Sequence, residues 1–566
     1  MDNPKKILIC GIVSVVIIGV IASTNTILDR FTSNNGLAIQ SNLQRAVNSN
    51  SDLSSSSIEQ FKNQFCGVDS SLNSNNYVTE YKLPHTCEMP LGITVDNQAG
   101  KIWYVSTKEG TLGSYNLITK RFDKEISIPI WKVRKNPIDF SNVWSVKVNP
   151  IGGSVWFTDE KQNAIWKYSK SVGFDMYKVP DSSSVFGTTS PMSLGFDSRG
   201  NVYFVGMHSP VLWFGNSTLM KNNTSNGITK IPMPVNNFKG IDSKQISIGS
   251  MTLDNRRNVI WISLSALESE GEILCYNITS RTFDTFILPE QLSLPVGLAV
   301  DDNGNLWATD HGTSIFYMLN IKNHNITMFA TSKASPRIYG LNDSSTLPGD
   351  ANTLPYWMQK DAIDGSLWFN EHQGNKIARF NPVNNILYEY WIPTQNKLWG
   401  DCPPTSKTCG IANILQFSTG NGGQIWFTEL SENKIGSIAS TVYNNNSNSH
   451  HQLPFSVSTT PQELTINRGR SVEIKVNVST SSSFPPSSTI NMVSSGTFSP
   501  TGDLGNSTGV FSEQSFPLEP SHSKNVYFIF TPARDLGIDI NAWFRERCNN
   551  YYEGNKTTYF LIYINA

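Results

Sequence analysis

Leu367-Trp368-Phe369-Asn370-Glu371, preceded by Gln359-Lys360-Asp361 and an Asp364-Gly365 turn, belongs to a pattern that returns about seven times between Pro90 and Ser440. Each copy is a short apolar run, a tight turn and an aromatic strand. The others centre on Trp103, Trp156, Tyr203, Trp261, Trp307 and Trp426. Two strands and a turn cannot bury an apolar face alone, so such units stack on their neighbours, which predicts blades around an axis. Gly or Asn stands where a short hairpin takes positive φ, as in Asn303-Gly304-Asn305 and Asp364-Gly365.

Beyond each aromatic strand a second pair follows, as in Asn375 to Phe380 and Ile386 to Pro393, so the blade is a four-stranded antiparallel sheet with a Pro-terminated outer strand. That outer strand recurs near Phe174–Pro180, Ile228–Pro232 and Thr282–Pro289. One extra copy, Tyr77–Pro84, precedes the first blade, and the last repeat ends near Ile438 without one. The early strand is therefore expected to complete the last blade, closing the ring and removing two exposed sheet edges. The expected fold class is all-β: a seven-bladed β-propeller over residues 77–440 and a C-terminal immunoglobulin-like β-sandwich over 455–566, with an N-terminal membrane helix. The sandwich rests on alternating strands near Gln462–Ile466, Ser471–Val478, Val526–Thr531 and Thr558–Ile564.

The chain has 566 residues and a formal net charge of -1. With no basic cluster beyond Lys5 and Lys6, a nucleic-acid partner is not expected. The apolar run Ile7–Ala22 reads as a signal anchor or signal peptide within residues 1–23. A Ser/Asn-rich stalk follows over 24–76, and a linker over 441–454. The expected location is the cell membrane with extracellular domains, or secretion if the segment is cleaved. Asn-x-Ser/Thr acceptors, among them Asn216, Asn277 and Asn325, and pairings of Cys66 with Cys87 and of Cys402 with Cys409 suit that compartment.

Third after the aromatic position stands a column of acids: Asp159, Asp310, Glu371 and Glu429, with Ser106 and Leu264 in two other copies. Carboxylates converging on one axis call for a hard cation, Mg²⁺ or Ca²⁺; alternatively they cap hairpins or pair with Lys161, Lys376 and Lys434. His311 and His372 stand beside two of these acids and, with His208, are the candidate proton acceptors. Gly-x-Ser-x-Gly, phosphate-loop, dinucleotide and H-E-x-x-H motifs are absent from the sequence, which argues against those enzyme classes.

The segments Ile425–Ser437, Leu367–Arg379 and Val155–Ile165 resemble the repeats of the virginiamycin B lyase (streptogramin lyase) family, a likeness that covers residues 77–440. It implies a seven-bladed propeller that opens a cyclic depsipeptide by Mg²⁺-assisted elimination, with Glu429 and Glu371 matching the metal-holding glutamates. The family's Pro-His-x-Ile bases are replaced here by Leu91, Trp144, Met192, Gly249, Val296, Tyr356 and Asn413. The expected function is thus an exported, membrane-anchored, monomeric propeller that binds a small-molecule or cell-surface ligand, with Trp144, Tyr356 and Trp357 as apolar contacts. The competing class is a divergent metal-assisted lyase or lactone or ester hydrolase in which His372 or His311 moves the proton.

Overall fold

The computed structural model describes residues 77–438 and 455–565, apart from short stretches within them, together with Cys66, Gly67, Ser74 and Asn75. Residues 1–23, most of the stalk and the linker 441–454 lie outside the described residues, as does His208. Among the described residues no helix is long and apolar enough to cross a membrane.

Every repeat forms an antiparallel sheet. In the sixth, Pro355–Lys360, Leu367–Glu371, Lys376–Asn381 and Ile386–Trp391 pair in chain order. The sheets that begin at Pro90, Val146, Pro191, Ile246 and Pro295 repeat this order, the outer strand of the first being split into Arg121–Phe122 and Ile126–Ser127. The seventh takes three strands from its own repeat, Ile414–Thr419, Ile425–Glu429 and Lys434–Ile438, and its fourth from Val78–Lys82. That strand pairs from Val78 opposite Ile438 to Lys82 opposite Lys434, the closure expected from the sequence.

Two recurrent residues explain the local geometry. The aspartate ending the first strand caps the following turn and accepts the buried indole N–H of the second strand. Asp96 takes Ala99 N at 2.9 Å and Trp103 Nε1 at 3.2 Å, and Asp301 takes Asn305 N at 2.8 Å and Trp307 Nε1 at 3.0 Å. The asparagine that opens the third strand sits at positive φ in three sheets: Asn163 (48°), Asn375 (50°) and Asn433 (55°). Asparagine tolerates this region better than most side chains, and its amide also joins two connections. Asn375 Nδ2 donates to Ile392 O and Thr394 O, and its Oδ1 accepts Ala412 N at 2.8 Å. Asn433 likewise holds His85 O and Glu88 N across the closure.

A second asparagine column qualifies the glycosylation reading. Asn216 Oδ1 accepts Thr218 N and Asn277 Oδ1 accepts Thr279 N, each closing a turn at the end of a third strand. Asn116 makes the same turn without being an acceptor motif. Turn geometry alone therefore accounts for asparagine at these places.

The core is divided into wedges between neighbouring sheets. Trp103, Val105, Phe157 and Trp166 fill the seam between the first and second, and Trp426, Ile435, Ile93 and Tyr104 the seam between seventh and first. The first strands touch in cyclic order, so the sheets surround a common hub.

Residues 455–565 form a sheet of Phe455–Thr460, Val472–Thr480, Ser523–Thr531 and Thr508–Phe511, facing a second that contains Thr489–Ser499, Ile540–Asn550 and Gly554–Asn565. Phe455, Ile474, Val476, Ile490, Phe516 and Phe528 lie between them. Gly554–Asn565 also adds antiparallel to the outer strand of the sixth sheet, Ile386 opposite Thr558 and Tyr390 opposite Gly554. One continuous sheet thus links the C-terminal part to the ring.

Candidate functional site

At one end of the ring each second strand finishes beside the start of its first strand: Glu371 opposite Pro355, Asp310 opposite Pro295, Glu429 opposite Ile414. The two disulfides expected from the sequence, Cys66–Cys87 and Cys402–Cys409, are present and belong to connections at this end. The acid column is here and fully buried, but its members serve separate seams. Asp159 accepts the indole N–H groups of Trp131 (2.7 Å) and Trp166 (3.0 Å). Asp310 accepts Leu294 N, Gly312 N and Thr313 Oγ1, while burial pushes its carboxyl up to about 6.

Glu371 and Glu429 each meet a lysine and a second glutamate. Lys376 Nζ lies 2.8 Å from Glu371 Oε2 and 2.5 Å from Glu389 Oε1, and Ser332 donates to Glu389 from the preceding sheet's connection. Lys434 Nζ lies 2.8 Å from Glu80 Oε2, Thr394 donates to Glu80, and Glu429 faces that pair. Burial drives Glu371 and Glu429 well above the carboxylate range, so each is neutral. For Glu389 burial acts in the same direction, but Lys376 and the hydrogen bonds from Glu371 and Ser332 outweigh it and hold the group down to about 2. In the Lys376 unit the ammonium is shared between the ionised Glu389 and the protonated Glu371.

This arrangement does not fit the divalent ion expected at Asp159, Asp310, Glu371 and Glu429. Lysine nitrogens occupy the positions a cation would need beside two of the acids, and N–H and O–H donors take up the others. Among the described residues no three His, Cys, Asp or Glu side chains gather as a ligand set. The partners Lys376 and Lys434 are those the sequence offered as the alternative to a metal.

The hub is built by other residues. Trp144 and Tyr356, from the second and sixth sheets, have ring centroids 6.4 Å apart. These sheets are not neighbours, so the two rings meet across the axis. Leu91, Met192, Val296, Leu415 and Trp357 belong to the same buried cluster. Trp144, Tyr356 and Trp357 therefore form the floor of the hub and not an exposed rim; Trp144 and Tyr356 are each 1% exposed. The strand pairing also corrects one position of the family comparison: Ile414 opposite Glu429 matches Pro355 opposite Glu371, so Leu415, not Asn413, stands at the Pro-His-x-Ile place of the seventh sheet.

Against this floor stand the residues that follow the acid column. His311 packs on Tyr356 at 4.7 Å and on His372 at 5.7 Å, the imidazoles nearly parallel. His372 Nε2 lies 2.9 Å from Asn413 Oδ1; as amide oxygen only accepts, that nitrogen carries the proton and Nδ1 keeps its lone pair. Burial, then His372, pushes His311 down to about 3, and burial pushes His372 down to about 4 against the Asn413 bond. Both are neutral near pH 7. Glu160 occupies the same place in the second sheet, near Asn142 and Trp144, and burial raises it to about 7. Sequence reasoning missed Glu160, although it shares the column of His311 and His372.

The fold and this hub define a β-propeller similar to that of virginiamycin B lyase. The Staphylococcus aureus virginiamycin B lyase structure is 20% identical over 64% of this chain and 98% of its own, with a TM-score of 0.47. A streptogramin B lyase structure gives 20%, 64%, 96% and 0.47, and a gluconolactonase from Xanthomonas campestris gives 10%, 53%, 86% and 0.34. No protein-family model and no curated protein matches the chain.

Proposed function

We propose that residues 77–440 are a seven-bladed propeller and 455–566 an immunoglobulin-like sandwich, exported and held at a membrane by the segment 1–23, and that the ring binds a small-molecule or cell-surface ligand at the end capped by the two disulfide-bonded connections. The observation that supports binding over lyase chemistry is the contact of Trp144 with Tyr356 across the axis. Apolar side chains fill the places where the lyase family carries its bases, and of the acids beside them Glu371 pairs with Lys376 while Glu429 faces the Lys434–Glu80 pair.

A second reading rests on one feature, the stacked neutral pair His311–His372 beside Tyr356. A buried neutral imidazole with a free lone pair accepts a proton, so ester or lactone opening is the competing activity. Assays of esters and lactones on the purified chain, with and without chelator, separate the two. Turnover that disappears in His372→Ala would establish the enzyme and refute the binding reading. Absence of turnover, together with a ligand whose affinity falls in Trp144→Ala while the thermal transition stays cooperative, would establish the binder.

A further inference from the structure

Three consecutive sheets carry a glutamate at one register of the outer strand. Glu389 lies opposite Ala378 and Glu80 opposite Gly436; Glu125 directly precedes Ile126, which pairs with Leu112, and so takes the matching place in the first sheet. In the sixth and seventh sheets the lysine at the start of the third strand neutralises that glutamate. In the first sheet the residue at this position is Thr111, which pairs with Ser127 as Lys376 pairs with Trp391, and Ser106 stands where Glu371 and Glu429 stand.

Glu125 is faced instead by a second acid, Glu88, from the connection between the last sheet and the first. Thr111 Oγ1 donates to Glu125 Oε2 at 2.8 Å and Tyr104 OH to Oε1 at 3.2 Å. Glu88 Oε1 accepts His85 N at 2.7 Å; its Oε2, on a residue 0% exposed, has no hydrogen-bond donor among the described residues. The other charged groups are Glu109, the exposed His85 imidazole 3.9 Å from Glu125, and Lys108, whose backbone N–H bonds Glu88 O.

We propose that Glu88 and Glu125, with the oxygens of Thr111 and Tyr104, form a site for a divalent hard cation of the calcium class, which takes the place that a lysine nitrogen fills in the two preceding sheets. All the donors are oxygens and two carboxylates balance a double charge, the combination that suits Ca²⁺. The ion would brace the connection from Lys82 to Pro90, which the Cys66–Cys87 bond and Asn433 already tie down.

The test is calorimetry and thermal melting of the full extracellular chain in Ca²⁺, Mg²⁺, Na⁺ or chelator. Millimolar Ca²⁺ is expected to raise the midpoint by about 3 °C or more over chelator, with a saturable heat of binding. Glu88→Gln and Glu125→Gln should abolish both effects. Thr111→Lys, which installs the lysine of the sister sheets, should stabilise the chelated protein and remove its response to Ca²⁺. No response to any ion would overturn the proposal, as would a response that survives Glu88→Gln and Glu125→Gln.

Discussion

Replacing Lys376 by methionine removes one charge from a unit in which every member is buried. Lys376, Glu371 and Glu389 have side chains with no exposure, and Glu389 is the ionised carboxyl. Methionine keeps most of the volume, so the loss is electrostatic. Breaking a buried pair from one side costs about 3–5 kcal/mol, because the remaining charge has no partner. Linkage gives a similar size: Glu389 is held from its ordinary 4.5 to about 2, and at about 1.4 kcal/mol per pKa unit that is roughly 3 kcal/mol. The sign follows from the downward shift. This stabilisation is present above pH 4.5 and fades as the pH falls towards 2. Lys376→Met should therefore lower the midpoint of a calorimetric scan at pH 7 by about 4 °C or more, and the gap from wild type should narrow as the pH is lowered through that window. Adding Glu389→Gln should recover much of the loss, since a pair replaced on both sides leaves no stranded charge. A loss below about 1 kcal/mol, the size of a surface pair, would refute the claim that the ammonium is what the two carboxyls share.

Deleting residues 77–84 should abolish the cooperative transition of the whole ring, because Val78–Lys82 is the fourth strand of the last sheet and carries Glu80; a soluble ring with an unchanged melting curve would refute closure. Asn375→Ala should cost about 2–4 kcal/mol in denaturant titration, from lost amide bonds and positive φ, and Asn375→Gly should recover about 1 kcal/mol of it. Glu160, raised from 4.5 to about 7, stabilises the fold below pH 4.5 and loses that contribution as the pH rises through 7. Melting temperature should thus decline between pH 5 and 8 in wild type and stay flatter in Glu160→Gln, and parallel curves would remove Glu160 from the buried hub.

Much of the ring was legible because its signals are periodic. The aspartate-to-tryptophan spacing recurs because the carboxylate caps the turn and accepts the indole, and the surplus strand Tyr77–Pro84 could be matched to the deficit after Ile438 by counting alone. The direction of the acid column was not legible. Alternation along a strand says that Glu371 and His372 point to opposite faces, but not which face belongs to the axis. An irregularity near the start of the first strands decides this: the pairing shifts between Pro355 and Met358, between Pro295 and Leu298, and between Ile414 and Phe417. An extra residue at such a bulge re-aims the side chains around it, and here Tyr356 meets Trp144 across the axis. No composition or period marks that event. The pairing of Gly554–Asn565 with the sixth sheet is equally silent, because an edge strand accepts any strand of matching length through its backbone.

A repeat protein separates scaffold from chemistry by a simple rule of selection. A residue that recurs at one position in several copies answers a demand every copy shares, as the turn-capping aspartates, the asparagines at positive φ and the outer-strand glutamates with their lysines do. Such columns draw attention in a sequence, and in this molecule they join sheet to sheet. A demand made only once, by a ligand at the axis or an ion at the closure, is met where the copies differ. His311, His372 and Glu160 share a column with Thr107, Met207, Ser265 and Leu430, and Thr111 stands where the two preceding sheets carry Lys376 and Lys434. Substitutions at recurrent positions should therefore register first as lost stability, and those at the exceptions as lost binding or turnover in a ring that still melts as one unit.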